Sequence, residues 1–232
     1  MDLTDQAGHN QTDRNLFGPD TLEAPDSYAR NTEVVARDLL GTILVRTIGE
    51  EVLAARIVET EAYTQDDPAS HSYRGLTRRN TAMFGPPGHA YVYFIYGMYH
   101  CFNVVTEPTG RGAAVLIRAV EPIIGIESMR RNRRLEDRGT ARPRELAGGP
   151  GRLCAALGIT LEENGVALFE TDGPLAVHRD RDIENSAPAD TRSNREIAVD
   201  TRVGISRGTE QLRRYYFSDS ACISRRSRKN GV

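Results

Sequence analysis

Between Tyr91 and Val105 the chain reads YVYFIYGMYHCFNVV. Aromatic and β-branched residues on both sides of a Tyr-Gly-Met break ask for two antiparallel strands joined by a tight turn. Gly97 admits the positive dihedrals that such a turn needs. Tyr91 and Tyr93 share one face of the first strand, and Val92 and Phe94 take the other. A return strand is expected over Tyr99–Thr106, so the tip carries Tyr96, a large flat ring, away from the sheet. The hairpin lies within a longer stretch, Arg56 to Arg118, that holds most of the aromatic residues. That stretch opens with RIVETEAY (Arg56 to Tyr63), whose loose alternation from Leu53 onward predicts a strand. In an extended chain Glu59, Glu61 and Tyr63 point to one side.

An aromatic ring at a hairpin tip has few structural uses, and insertion between stacked bases is one of them. Behind it Tyr63, His71 and Tyr93 are ring side chains able to sandwich a planar guest. Glu61 is a carboxylate able to activate water. Asn103, on the return strand, can discriminate base edges by contact or by crowding. Taken singly, strand tyrosines usually pack, lone glutamates are usually solvated, and a loop histidine usually has a structural partner. Together they supply what base flipping requires: a wedge, a stacking slot and a base.

At 232 residues one domain is the default. Cys101, Cys154 and Cys222 are far apart, without metal-ligand spacing, and read as reduced thiols. No apolar run approaches membrane-spanning length, and the N-terminus is polar and acidic, so a chain that stays in the compartment where it is made is expected. Residues 1–24 carry little core material and predict a flexible arm. From Ser27, Val34, Val35, Leu39 and Leu40 fall at helical spacing, with Asp26 or Ser27 as N-cap and Gly41 as stop. Thr42–Arg46 and Glu51–Glu59 predict a hairpin through Ile48-Gly49-Glu50. Thr77–Gly88 reads as loop.

Ala113–Val120 predicts a strand that is apolar except for Arg118. That arginine either reaches solvent from a strand end or sits beside Glu61, where it would hold a water and keep the carboxylate ionised. Ile123–Leu135 predicts a helix ending in the basic run SMRRNRRLEDRG, either a solvated face or a phosphate-contacting one. GGPGRLCAALGI predicts a turn feeding a helix over Gly151–Leu157, whose first amides either face a phosphate or only complete the turn. Asp180–Arg195 reads as a surface loop, Arg202 as the start of a closing strand, YYFSDSACIS as another, and RRSRKNGV as a basic flexible tail, residues 225–232. Net charge is only −2, but basic residues gather in 111–144 and 202–229 and acidic ones in the arm and in 162–200. A polarised surface follows.

Seven blocks resemble the methylpurine (3-methyladenine, or alkyladenine) DNA glycosylase family: ARDLLGTILVR, RIVETEAY, the His71 region, TRRNTAMFGPPGHAYVYFIYGMYHCFN, AAVLIRAVEP, GGPGRLCAALGI and TRVGIS. They fall in order from about Asp26 to about Ser224. EQLRRYYF (Glu210 to Phe217) stands where the family commonly has a tryptophan and a proline, and this chain has no tryptophan. The resemblance implies a mixed α/β (α+β) fold: a single domain over residues 25–224, with a curved, mostly antiparallel sheet, surrounding helices and a protruding hairpin. It implies excision of alkylated or deaminated purines such as 3-methyladenine, 7-methylguanine, ethenoadenine and hypoxanthine from duplex DNA. Glu61 and Arg118 would hold the attacking water, with the Val203 main-chain carbonyl as a further contact. Tyr63, His71 and Tyr93 would receive the base, Asn103 would crowd the amine of normal guanine, and Tyr96 would fill the gap in the duplex. No metal or other cofactor is implied, and a monomer in a bacterial cytoplasm, at the nucleoid, is expected.

Glycosylases that also cut the strand use an amine nucleophile. The only lysine here is Lys229 in the basic tail, so unless the N-terminal amine serves as nucleophile a monofunctional enzyme using water is expected. Two other readings start from the same residues: a module that stacks or flips bases without cleaving, and a metal-dependent hydrolase built on Glu59, Glu61 and His71. The second lacks a regular ligand spacing.

Overall fold

A computed structural model describes residues 17–137, 142–180 and 195–225. Among these residues eight strands form one antiparallel sheet: β1 (Ile43–Ile48), β2 (Glu51–Tyr63), β3 (Ala90–Ile95), β4 (Tyr99–Val105), β5 (Ala114–Ile124), β6 (Leu175–His178), β7 (Ile197–Asp200) and β8 (Arg214–Phe217). The main path is β3-β4-β5-β2-β1-β6, with β8 on β2 and β7 on β8. Strand β2 is the spine. One edge pairs with β5 along almost its whole length; the other pairs first with β1 and then, at Glu59–Glu61, with β8. Two different strands on one edge oblige the sheet to curl. Helices α1 (Pro25–Tyr28), α2 (Thr32–Asp38), α3 (Ile126–Asn132), α4 (Pro143–Ala147) and α5 (Pro150–Leu157) complete the single mixed α/β domain. Their apolar faces meet Leu44, Leu53, Ile57, Phe102, Ile117 and Phe217 in one buried core. Among the described residues no helix is long and apolar enough to cross a membrane.

Several boundaries differ from expectation for identifiable reasons. The first helix breaks in two: Pro25 opens α1, and the real N-cap of α2 is Asn31, whose side chain accepts from the amides of Glu33 at 3.0 Å and Val34 at 3.3 Å. This rotates Val34 outward while Val35, Leu39 and Leu40 stay buried. Strand β5 runs on to Ile124 through Pro122, which sits opposite Ala55 where the β2–β5 register shifts. A proline lacks the ladder amide, and an irregularity tolerates it. Helix α3 therefore starts only at Ile126. Arg202 begins no strand: residues 201–213 are loop, and β8 starts at Arg214. In that last strand Tyr215 and Phe217 are buried core residues.

The arm expected over residues 1–24 lies outside the described residues up to 16. Its last part packs: Thr21 is buried, its hydroxyl 2.9 Å from His178 Nδ1, and the Phe17 ring lies 5.3 Å from the His178 ring. Residues 181–194 of the expected surface loop, and 226–232 of the tail with Lys229, also lie outside the described residues.

Candidate active site

The β2–β5 pairing is irregular at one place. Ile57 faces Val120, Glu59 faces Ala119, and Thr60 faces Ile117, so Val58 on one strand and Arg118 on the other have no register partner. Two bulges therefore lie across from each other. Bulges re-aim side chains, and here they set the Arg118 guanidinium between two carboxylates on one face of β2. Arg118 Nη1 donates to Glu61 Oε2 at 3.2 Å, and Nε lies 3.4 Å from Glu59 Oε1. Thr60, between the two glutamates, points to the opposite face and donates to Ala36 O at 2.7 Å. The alternation expected from VETEAY holds.

Glu61 is 0 % exposed. Its Oε2 accepts from Arg118 and from the Tyr63 hydroxyl at 2.8 Å; its Oε1 accepts from the Val203 amide at 2.7 Å. Sequence reasoning placed the Val203 carbonyl near the water; the contact present is the Val203 N–H to the carboxylate. Burial, the Glu61 charge and the hydrogen bond to it push the Tyr63 hydroxyl well above the ordinary tyrosine range. It stays a donor at any working pH. Burial alone would lower the Arg118 pKa, but Glu61 and Glu59 outweigh it and hold the guanidinium charged.

Sequence reasoning missed the supports behind this group. Glu59 is fully buried; its Oε1 accepts from Arg214 Nη1 and from the Ser224 hydroxyl, both at 2.9 Å, and its Oε2 from the Ser224 amide at 2.5 Å. The Ser224 hydroxyl accepts in turn from Arg118 Nε and Nη2 at 3.3 Å. Two buried carboxylates are thus matched by two buried guanidiniums, which lets this charge density exist inside a protein. The doubled glutamate in VETE was the signal for Glu59; Arg214 and Ser224 lie more than 150 residues away, and no local pattern could point to them. Asp67 and Arg202 form a second buried pair, and the Arg202 guanidinium lies 4.7 Å from the Tyr63 ring centre. One face of Tyr63 is therefore occupied by protein.

The charged group opens into a cleft of about 1170 Å³ lined by Tyr63, His71, Tyr91, Tyr93, Asn103 and Val203, with Tyr96 also on its wall. His71 meets Tyr93 edge-on, with ring centres 4.5 Å apart and an interplanar angle of 70°, and His71 Nδ1 lies 2.9 Å from the Tyr91 hydroxyl. These rings form a corner rather than parallel plates. Burial, then the Arg79 charge, lowers the His71 pKa below its ordinary value, so its imidazole is neutral at pH 7. Asn103 is buried, and its Nδ2 donates to Tyr91 O at 2.8 Å, which fixes where the amide sits. Tyr96 is 80 % exposed. Tyr96 and Gly97 have φ of 54° and 69°, and the Met98 amide donates to Ile95 O at 3.3 Å. That is a type I′ turn, which holds the ring out at the hairpin tip.

The remaining lining is basic. Arg74, Arg133, Arg144, Arg152, Arg207 and Arg225 border the cleft, and among the described residues no aspartate or glutamate does. Arg133 donates to the carbonyls of Leu146 and Glu145, and its pKa is lowered by burial and by nearby Arg152. Elsewhere the basic run is neutralised: Arg130 pairs with Glu127 and Arg131 with Glu51. The run thus divides between a solvated face and a cleft wall. The GGPG turn at the head of α5 belongs to that wall, and Gly151 is needed there: a Cβ would lie 2.9 Å from the Tyr99 ring of β4. Among the described residues no group of three or more His, Cys, Asp or Glu side chains is arranged to hold a metal ion.

The model of the methylpurine-DNA glycosylase family matches residues 26–221, which include every residue of this site up to Arg214. The chain belongs to the methylpurine-DNA glycosylase family. It is 49 % identical over 200 residues, 86 % of this chain and 96 % of the relative, to a protein of Methanoculleus marisnigri provisionally named 3-methyladenine DNA glycosylase. Relatives under the same provisional name in Carboxydothermus hydrogenoformans (46 % over 199 residues, 86 % and 96 % covered) and Francisella tularensis (40 % over 191 residues, 82 % and 92 % covered) extend the likeness. As a methylpurine-DNA glycosylase it is a DNA-binding hydrolase of N-glycosyl bonds that acts in repair of alkylation damage. A cleft bordered by arginines, with the buried Glu61 held on Arg118 behind its wall, is suited to a polyanionic substrate.

Proposed function

We propose that this enzyme flips damaged purines, among them 3-methyladenine, 7-methylguanine, ethenoadenine and hypoxanthine, out of duplex DNA and hydrolyses the bond to the sugar with an activated water. The observation that carries this reading is the meeting of Glu61, Arg118 and the Val203 amide beneath an aromatic corner, beside an exposed Tyr96. A carboxylate oxygen can accept two hydrogen bonds. Oε2 already has two and Oε1 one, so Oε1 is the atom that takes the proton from water. The resulting hydroxide adds to C1′ as the bond to the purine nitrogen breaks and its electron pair leaves with the base. A cationic alkylpurine departs as a neutral base, so no general acid is required for it; ethenoadenine and hypoxanthine depart as anions that take a proton from solvent. Before proton transfer the Glu61 charge also stabilises the oxocarbenium-like sugar.

Tyr63 offers one free ring face to the base, because Arg202 covers the other. His71 and Tyr93 close the corner, and the fixed Asn103 crowds the exocyclic amine of normal guanine. The reaction stops at an abasic site, and the enzyme works as a monomer, without a cofactor, on nucleoid DNA in a bacterial cytoplasm. Duplexes with one such lesion, incubated with the protein and then split into alkali-treated and untreated halves, test this. Breaks in the treated half alone are expected. Breaks in both would mean strand cleavage by the enzyme, and none in either would remove the activity.

Two further outcomes follow. Tyr96→Ala removes the ring that replaces the extruded base, and base–aromatic stacking is worth about 1–3 kcal/mol, about 5- to 150-fold. Excision from duplex is expected to fall by that factor while excision from the same lesion in a single strand changes little; rate assays on both substrates decide. The pH dependence has a definite sign. Protonation puts a positive charge on His71 against a positively charged base, and its lowered pKa confines this to pH below the ordinary histidine value of about 6.5. Excision of 7-methylguanine should be steady above that pH and fall on acidification below it, and His71→Gln should remove that fall in a rate profile.

A further inference from the structure

We propose that the loop from His71 to Asn80 is a second duplex-contacting element, in which Tyr73 and Leu76 pack against DNA beside the lesion while Arg74 and Arg78 meet its phosphates. This rests on DNA being the substrate, and it is independent of the chemistry assigned to Glu61. Tyr73 is 49 % and Leu76 62 % exposed. Two large apolar side chains so close together on a polar loop lose contact with water only when something covers them.

The loop that carries them is built to hold its shape. Asn80 is buried and serves as an internal peg: its Nδ2 donates to His71 O at 2.9 Å and Gly75 O at 3.1 Å, and its Oδ1 accepts from the Thr77 amide at 2.6 Å. Buried Ser72 anchors the other end, its hydroxyl donating to Gly112 O at 2.6 Å. The tips between these anchors are presented on a fixed frame, so binding there costs little ordering entropy.

Charge and continuity identify the occupant. From Pro68 to Thr106 the sequence has no aspartate or glutamate. Arg74, Arg78 and Arg79 are exposed and form no ion pair among the described residues. Arg79 Nη2 donates to Phe94 O at 3.0 Å, which ties the loop to the strand leading to Tyr96, and Arg74 lines the same cleft. Loop and hairpin are therefore one continuous rim around the opening that receives DNA. A polyanion with apolar ring faces and sugars at its surface matches a rim of arginines bearing a tyrosine and a leucine.

The test is anisotropy binding of a short duplex carrying an abasic analogue, and of the same strand alone, with wild-type protein and the variants Tyr73→Ala/Leu76→Ala, Tyr73→Phe and Arg78→Gln. The double variant should lose about tenfold or more in duplex affinity and under about twofold in single-strand affinity, and Tyr73→Phe should keep wild-type affinity. Arg78→Gln should reduce the slope of log affinity against log salt by about one. Duplex affinity within about twofold of wild type in the double variant, or equal loss for duplex and single strand, would overturn the proposal. Either result leaves wild-type excision untouched, whereas failure of the proposed reaction appears as an absence of alkali-labile sites with the wild-type enzyme.

Discussion

Glu61→Gln is expected to lower single-turnover excision by about 10²–10⁴-fold, the usual contribution of a positioned general base. The change is nearly isosteric, so steric loss cannot explain such a fall. An amide cannot take a proton from water, and it no longer offsets the charge developing on the sugar. The substitution also has a structural side. The Val203 amide, the Arg118 guanidinium and the Tyr63 hydroxyl all donate to this carboxylate, and an amide in its place must turn a donor toward one of them. The expected cost in stability is about 1–3 kcal/mol, partly offset because Glu59 still neutralises Arg118. Duplex affinity and melting temperature measured beside the rate separate the two effects. A variant that is folded, binds lesion DNA and still excises at the wild-type rate would dismiss Glu61 from the reaction.

The largest expected effect on stability lies at Asp67. Its carboxylate and the Arg202 guanidinium have no solvent-exposed side-chain surface, and Arg202 also donates to Ala62 O at 3.0 Å and Gln211 Oε1 at 3.2 Å. Asp67→Ala strands a buried positive charge, and breaking such a pair from one side costs about 3–5 kcal/mol. For a chain of this size that is a fall in melting temperature of roughly 6–20 °C. The double variant Asp67→Leu/Arg202→Met should recover most of it, because a matched apolar pair leaves no charge unpaired. Chemical denaturation of the three proteins measures this. The double variant should nonetheless remain impaired in excision, since it removes the guanidinium that backs the Tyr63 ring.

Much of the site was legible because strands have a period of two. VETEAY put Glu59, Glu61 and Tyr63 on one face without knowledge of the fold. One arginine in an otherwise apolar strand left two choices, a strand end in solvent or a place beside Glu61, and a glycine beside Tyr96 asked for a turn with that ring at its tip. The bulges facing each other at Val58 and Arg118 were not legible, because register is a property of two strands and neither sequence carries a mark of the slip. Ser224 and Arg214 escaped notice for the related reason that closure of the sheet brings them in from the far end of the chain. The elements misjudged at their ends share another cause. Pro25, Pro122 and the buried Arg202 each follow a local rule, a helix start, a strand breaker or a strand beginning, that tertiary partners modified. Asn31 shows it most simply: Asp26 and Ser27 are good capping residues, but Pro25 had already started a shorter helix that used them.

The most direct test is a crystal structure of Glu61→Gln bound to a duplex carrying an uncleaved hypoxanthine. The hypoxanthine should lie outside the helix between Tyr63 and the His71–Tyr93 corner. Tyr96 should occupy its place in the stack, and a water should sit about 3–3.5 Å from C1′ against residue 61 and Arg118. A lesion still stacked in the duplex, or an extruded one whose sugar faces away from Glu61 and Arg118, would contradict it.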